Sequence, residues 1–429
     1  MKLRLKSVLE FQIYFILVIE FFISVIHLPG LTRYLADFNL LLITGLWFHY
    51  LIEKFRIESV RKVHTYIVVY ILMLLVYAVF RFVPFFQVLW AARNNFFFII
   101  YFIFCAKVFD TDSIERIFEN IIKLQFFNVA CGIFEYAVLH TKNDYLGGMF
   151  GVEQGCNASL NVYLFIITAY TFAKFMKRKA HLSRLLWIIL SSVFMAAISE
   201  LKVFYVELIL IILVVALLDR NKVKALGIIM GGFIFAFVGL QILSVVNSDS
   251  IKYLSSFDDM IEYSSRSDYG YGDIRISRFT AIAQVNEYFF KDDVVLKLFG
   301  YGFGACEDST TFSLCNSDFA DKYGYLQYRN LTTSMNYLET GIIGLVSFIG
   351  IFVIIYLFAA KSKKTLFNDE EIAIFAQVLS VLVIFNCIYN SAIRRPVAYL
   401  TYFALSVVFV YMHDYESREL EELEVGYDT

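Results

Sequence analysis

Two arginines stand three residues apart in a polar part of the chain, where Arg275 and Arg278 belong to the sequence RISRF. This spacing predicts a helix, with Asp273 as its N-cap, that presents both guanidinium groups on one face. Like charges at that spacing repel, so the pair favours an anionic partner, and a diphosphate suits guanidinium forks best. The plainer alternative is that both arginines pair with nearby acidic residues or lie against lipid headgroups.

A glycine-rich turn, G-Y-G-F-G, follows at residues 300–304. Gly302 and Gly304 could offer backbone amides to an anion, or could simply allow a positive φ in a tight turn. The spacing differs from the G-x-G-x-x-G pattern of dinucleotide-binding loops, and no strand–turn–helix context surrounds it. The turn therefore gives no reason to expect a nucleotide.

Ionisable residues also lie at the edges of long apolar segments, where a membrane makes a charge costly and a functional role more common. The basic ones are Lys202, Arg394 and Arg395, and the acidic ones include Glu200, Glu207 and Glu339. The alternative is mutual pairing, as between Lys202 and Glu200 or Glu207, or side chains that extend to the headgroup layer.

The elements that must position these residues are predicted to be membrane helices. The chain of 429 residues is 59% hydrophobic and 18% charged, with a mean hydropathy of +0.66. Apolar runs of about 17–25 residues recur along it, the length that crosses a bilayer. We predict an all-α polytopic membrane protein of about twelve transmembrane helices. The predicted spans are 8–28, 35–52, 63–83, 95–109, 117–140, 157–175, 185–200, 203–219, 224–246, 336–359, 372–390 and 396–413.

The distribution of lysine and arginine predicts the orientation, because short cytoplasmic loops carry an excess of both. Both termini are expected on the cytoplasmic side. The chain then divides into residues 1–246 with nine helices, a large extracytoplasmic loop at 247–335 with short helices, 336–413 with three helices, and an acidic cytoplasmic tail at 414–429. The formal net charge of −2 gives no reason to expect a nucleic acid partner.

The cysteines and acidic residues show no metal-binding pattern, so neither a metal nor another cofactor is expected. Cys306 and Cys315 share the long loop. They could form a disulfide if that loop faces an oxidising compartment, or could remain two thiols.

Three segments together resemble the O-antigen and capsule polymerases of the Wzy type and, more remotely, the O-antigen ligases. They are G-G-M-F-G-V-E-Q-G-C-N-A-S-L at 147–160, S-E-L-K at 199–202, and the stretch 275–345. That last stretch runs from RISRF through the glycine turn to N-Y-L-E-T-G-I-I-G-L. The likeness lies in the order and placement of short motifs within the predicted topology.

The resemblance implies a metal-independent, inverting glycosyl transfer between oligosaccharides linked to undecaprenyl diphosphate, at the outer face of a bacterial cytoplasmic membrane. The diphosphate would be bound by basic residues, which are Arg275, Arg278, Lys202, Arg394 and Arg395. A carboxylate would orient or deprotonate the attacking hydroxyl, and the candidates are Glu153, Glu207 and Glu339. Further contacts would come from Asn157, Gly302 and Gly304, and a chain-length regulator is an expected partner.

Two departures from the family pattern bear on this expectation. The ligases carry a histidine near the end of the long loop, where this chain has Asn330 and no histidine, which favours a polymerase over a ligase. Lys202 stands where an arginine is usual, so a point charge replaces a fork. The remaining alternatives are an O-antigen ligase and a flippase or other transporter of lipid-linked oligosaccharides, although the long loop and the lack of internal repeats are unusual for a transporter.

Overall fold

The chain folds into a bundle of α-helices. The computed structural model describes residues 2–53, 55, 57–219, 241 and 275–427, and no β-strand occurs within them. The helices are α1 Lys2–Ser24, α2 Leu35–Leu46, α3 Phe48–Ile52, α4 Glu58–Phe80, α5 Phe85–Val108, α6 Thr111–Ala137, α7 Asn157–Met176, α8 Leu182–Ile198, α9 Lys202–Leu218, α10 Ala281–Val285, α11 Val294–Phe299, α12 Asp318–Tyr323, α13 Thr332–Ser362, α14 Glu370–Tyr389 and α15 Ala398–Tyr427.

Seven of these helices, α1, α4, α5, α6, α7, α13 and α14, are long and apolar enough to cross a membrane. The prediction of an all-α membrane protein is confirmed at this level, since a helix satisfies its own backbone groups in lipid. The number of twelve spans stays a prediction. The predicted span 224–246 lies outside the described residues, apart from residue 241.

Exposed apolar stripes show which faces of the bundle contact lipid. On α4, Val68, Leu72, Val76 and Val79 recur at helical spacing, and each is more than a third exposed. In contrast, α7 buries almost its whole circumference against α8, α9 and α14. The bundle therefore has α7 at its centre and α4 at its edge.

Two predicted boundaries are wrong. The segment 35–52 is broken at Trp47, whose φ of −123° and ψ of 33° separate α2 from α3. The span predicted at 95–109 begins ten residues earlier, directly after Pro84, which sets φ for the first turn without needing a hydrogen-bond donor. The helix α15 continues into the predicted tail as far as Tyr427, and the placement of that tail on the cytoplasmic side stays a prediction.

The predicted RISRF helix is also wrong. The helix α10 begins only at Ala281, so Arg275 precedes it in backbone without regular structure and Arg278 lies in a turn. The backbone N–H of Ile276 donates to the carbonyl of Leu326 (3.0 Å) instead of continuing a helix. The two guanidinium groups therefore do not share a helix face. Asp273, the predicted N-cap, lies outside the described residues.

Candidate functional site at the loop end of the bundle

A kinked helix and the glycine turn together form the floor of the site. Residue Gly341 interrupts α13 with φ 60° and ψ −165°, which leaves the carbonyls of Leu338 and Glu339 without helical partners. The amides of Tyr301 and Gly302 donate to these two carbonyls, each at 2.8 Å. These two hydrogen bonds hold the turn against the kink. They pair backbone N–H and C=O groups that neither segment could pair by itself.

The turn requires glycine for steric reasons. Gly300, Gly302 and Gly304 all have positive φ. A Cβ at Gly302 would lie 2.6 Å from Cβ of Arg81, and one at Gly304 would lie 2.9 Å from the carbonyl oxygen of Gln87. The Gly302 amide is engaged by Glu339, so close packing explains the motif and an anion-binding role for this amide is not supported. The end of the bundle where residues 275–331 pack is called the loop end below.

A buried ion pair lies above this floor. Arg394, in a short turn between α14 and α15, pairs with Glu307 of the long loop, and both side chains are less than a tenth exposed. Arg394 also donates to the side-chain oxygens of Asn336 (3.0 Å) and Asn95 (3.4 Å). Burial alone would lower the pKa of Arg394, but Glu307 and Glu339 outweigh it and raise that pKa. The guanidinium proposed from sequence as a diphosphate ligand is therefore already neutralised by protein groups.

This ion pair continues into a hydrogen-bonded chain across the loop end. Asn94 donates to Glu307 (3.0 Å) and accepts from Arg93 (2.8 Å). Arg93 in turn forms an ion pair with Asp37 at 2.7 Å, and Asp37 also accepts from the Tyr399 hydroxyl (2.8 Å). The chain joins α2, α5, α15 and the long loop.

Glu339, a candidate carboxylate, sits next to this network. Its side chain is buried, its Oε1 accepts from the amide of Cys306 at 3.2 Å, and its Oε2 has no hydrogen-bond partner among the described residues. The carboxylate lies on the last turn before the Gly341 kink. Its contact with Cys306 binds the loop to α13.

Glu153 is in a different environment. Its side chain is 55% exposed and accepts from Arg33 at 3.1 and 3.2 Å. Arg33 also pairs with Glu20 at 3.0 Å. Of the three carboxylates predicted from sequence, Glu153 is therefore the one that an external hydroxyl could reach directly.

Arg395 differs from its neighbour Arg394. It is half-buried, and its described contact is a donated hydrogen bond to the carbonyl of Gly155 at 3.0 Å. Burial lowers the pKa of Arg395, and the nearby positive charge of Arg329 adds to that effect. No carboxylate within the described ranges forms an ion pair with it. Such a cation has lost water without gaining a counter-ion, which is the condition of an anion-binding group.

Arg81 is a second guanidinium of this kind, which the sequence reading missed. It follows the last residue of α4 and lies beside Gly302, and its buried Nη2 has no hydrogen-bond partner in the described part of the chain. By contrast, Arg329 pairs with Asp308 and leaves 45% of its side chain exposed.

Arg278 lies against the end of α14. Its Nε donates to the carbonyl of Tyr389 at 3.2 Å, and its guanidinium lies 4.3 Å from the centre of the Tyr389 ring. This contact places Arg278 at the loop end with the other arginines. Arg275 belongs to the same end of the bundle, because the neighbouring Ile276 amide donates to the carbonyl of Leu326.

The remaining predicted residues lie deeper or to one side. Lys202 pairs with Glu200 at 3.2 Å, which confirms the predicted ion pair. Asn157, at the start of α7, donates to Asp144 at 2.9 Å. Glu207 is fully buried between three helices and accepts from Asn161 (3.1 Å) and Asn386 (3.4 Å). Glu207 is a contact inside the bundle.

The G-G-M-F-G segment turns back into the bundle between α1 and α6. The amide of Gly148 donates to the buried Glu135 at 2.7 Å, and the amide of Met149 donates to Asn128 at 3.1 Å. A Cβ at Gly148 would lie 2.4 Å from Oδ1 of Asn128. Glu135 and Asn128 thus fix the segment that leads to Glu153 and Gly155.

The cysteines are free thiols, so the possible disulfide between Cys306 and Cys315 is not formed in the structure. In the part of the chain that the structure describes, no three His, Cys, Asp or Glu residues lie close enough to hold a metal ion. The described part of the loop end carries guanidinium and carboxylate groups, among them Arg394, Glu307, Arg329 and Asp308.

Comparison with known proteins identifies no family. No protein-family model matches the chain, and no curated protein sequence is significantly similar to it.

Proposed function

We propose that the protein is a polymerase that joins lipid-linked oligosaccharide repeat units of an O-antigen, capsule or exopolysaccharide at the outer face of a bacterial cytoplasmic membrane. The observation that supports this most is Arg395, a half-buried guanidinium without a carboxylate partner among the described residues, beside an exposed carboxylate site. A lipid diphosphate needs such a cation when it leaves with negative charge.

The proposed reaction transfers a growing glycan. A hydroxyl oxygen at the non-reducing end of one lipid-linked repeat unit attacks the anomeric carbon of another glycan. The bond from that carbon to the diphosphate breaks with inversion, and undecaprenyl diphosphate departs with the electron pair. Arg395 and Arg278 would stabilise the leaving diphosphate, with Arg81 as a further cation.

The proton of the attacking hydroxyl needs an acceptor, and we assign this role to Glu153. Its exposed carboxylate can approach a bound sugar within hydrogen-bond reach, as a general base must. Arg33 holds the carboxylate in place through both of its oxygens. Glu207 and Glu339 are enclosed by protein groups and are assigned to structure.

The proposal is tested in the bacterium that carries the gene, by deleting it and restoring wild type or variants. Arg395→Ala and Glu153→Gln are each expected to leave single repeat units where wild type gives a ladder of surface polysaccharide on a gel. The matched control is Arg61→Ala, an exposed arginine at the other end of α4, which should give the full ladder.

Protein amounts in the membrane are measured alongside, so that loss of the ladder is read only from normally inserted variants. A full ladder from Arg395→Ala would refute the assigned diphosphate site. Lipid A-core without any repeat unit in the deletion strain would instead indicate a ligase or a flippase, and an unchanged polysaccharide would refute the function itself.

A further inference from the structure

A lateral groove lies far from the loop end, between α1 and α6. The two helices run parallel in register, since Lys6 pairs with Asp110 and the rings of Phe21 and Phe127 pack 5.9 Å apart. Between these contacts, side chains of both helices line a groove of about 530 Å³. This volume is within the range of about 300–1,000 Å³ typical of small-ligand sites.

The groove is apolar along most of its length. Its apolar lining is Phe11, Phe15, Val18 and Leu124. Both helices are long and apolar enough to cross a membrane, so the opening of the groove faces hydrocarbon. A hydrocarbon chain is therefore the material available to fill it.

Polar groups line the rest of the groove. Asn120 donates to the Tyr14 hydroxyl at 2.9 Å, and Tyr14 donates to Glu10 at 3.2 Å. Lys123 completes the lining and is exposed, with no hydrogen bond or ion pair to any residue of the described part. The groove thus combines an apolar channel with one cation that protein groups leave uncompensated.

Neighbouring ion pairs give the depth of Lys123 in the membrane. Glu115 pairs with Lys174, and Glu119 pairs with Arg184 at 2.6 Å. Such charges cluster at the headgroup layer, and Lys123 follows Glu119 by one helical turn. Its ammonium group is therefore level with the boundary between headgroups and chains, where lipid phosphates lie.

We propose that this groove binds an anionic phospholipid from the leaflet on the side of the chain's N-terminus. The phosphate would contact Lys123, and one acyl chain would lie along Phe15 and Val18. The plain alternative is that Lys123 merely reaches the headgroup layer without a lasting lipid. The two readings differ in whether a lipid stays bound when the bilayer is removed.

Native mass spectrometry of the purified full chain separates these readings. The protein is released from detergent after exchange with equal amounts of dioleoylphosphatidylglycerol and dioleoylphosphatidylcholine. Wild type is expected to retain the anionic lipid preferentially. Lys123→Ala should weaken that retention about fivefold, the contribution of one basic residue near an anionic lipid.

Two further variants keep the test decisive. Lys361→Ala removes an exposed lysine at the same end of the bundle but outside the groove, and should retain lipid as wild type does. Val18→Trp should fill the groove and reduce retention of both lipids, while circular dichroism shows the helices intact. Equal retention of the two lipids by wild type, or equal retention by Lys123→Ala and Lys361→Ala, would overturn the proposal.

Discussion

Replacement of Arg394 by alanine is expected to destabilise the junction between the long loop and the helices, rather than to remove a substrate contact. The guanidinium pairs with Glu307 and donates to Asn336 and Asn95. Truncation would leave the Glu307 carboxylate with Asn94 as its one remaining side-chain donor among the described residues. It would also remove the positive charge of Arg394 from beside Glu339.

The size of the effect follows from burial. The side chains of Arg394 and Glu307 are 7% and 4% exposed, so neither charge is solvated once its partner is lost. Breaking such a pair from one side costs about 3–5 kcal/mol. At roughly 2 °C for each kcal/mol, the low end for a chain of this size, the thermal midpoint should fall by about 6–10 °C.

The Arg329–Asp308 ion pair provides the matched control. It also joins a guanidinium to a carboxylate of the long loop, but 45% of the Arg329 side chain is exposed. A solvated pair of this sort is worth about 0–1 kcal/mol. Arg329→Ala should therefore shift the thermal midpoint by about 2 °C at most.

The assay is thermal unfolding of the purified protein in detergent, followed by size-exclusion chromatography with fluorescence detection. The double variant Arg394→Met with Glu307→Gln removes both charges and should recover more than half of the stability lost by Arg394→Ala. If Arg394→Ala proves as stable as Arg329→Ala and yet abolishes the polysaccharide ladder, the structural reading is wrong and Arg394 binds the substrate.

Further perturbations test the turn and the buried carboxylate. Gly341→Ala must adopt a positive φ and place a Cβ 2.3 Å from the backbone of Leu298, so its unfolding free energy should fall by roughly 2–6 kcal/mol. Gly324→Ala, where a Cβ meets nothing within 4 Å, should change the thermal midpoint little. Glu207→Gln keeps an acceptor for Asn161, so the ladder should persist; a folded variant without a ladder would make Glu207 catalytic. Glu207→Leu leaves the Asn161 amide without this acceptor. Its free energy of unfolding should be lower than that of Glu207→Gln by roughly 1–3 kcal/mol, and its thermal midpoint should be clearly lower as well.

The apolar helices could be predicted because a membrane span requires about 20 apolar residues, whatever its neighbours are. The start of α5 could not. Gln87, Arg93 and Asn94 lower the hydropathy of its first turns, and a hydropathy reading therefore begins the span after them. These residues are tolerated in the helix because they bond to partners far away in sequence, which are Asn316, Asp37 and Glu307 respectively.

The low hydropathy of these first turns also explains why part of the candidate site could not be predicted. Arg93 falls between the predicted spans 63–83 and 95–109, although a basic residue followed by two asparagines and an aromatic run could have indicated it. The RISRF helix failed for a related reason. Local periodicity favours a helix there, but the Ile276 amide bonds to Leu326 and the Ser277 amide to the Gln284 side chain. Such tertiary hydrogen bonds override a short periodic pattern.

Some arginines of the loop end are already ion-paired, and others have no carboxylate partner among the described residues. This difference decides which of them can bind an anion more than their spacing in the sequence does. Arg93 and Arg394 are ion-paired and largely buried, so an anion that bound either of them would have to displace a carboxylate. Arg395 donates to a backbone carbonyl, which carries only a partial negative charge. The guanidinium therefore keeps most of its electrostatic attraction for an anionic ligand. A diphosphate can therefore gain most from Arg395, and its binding should weaken far more on loss of Arg395 than on loss of the exposed, paired Arg329.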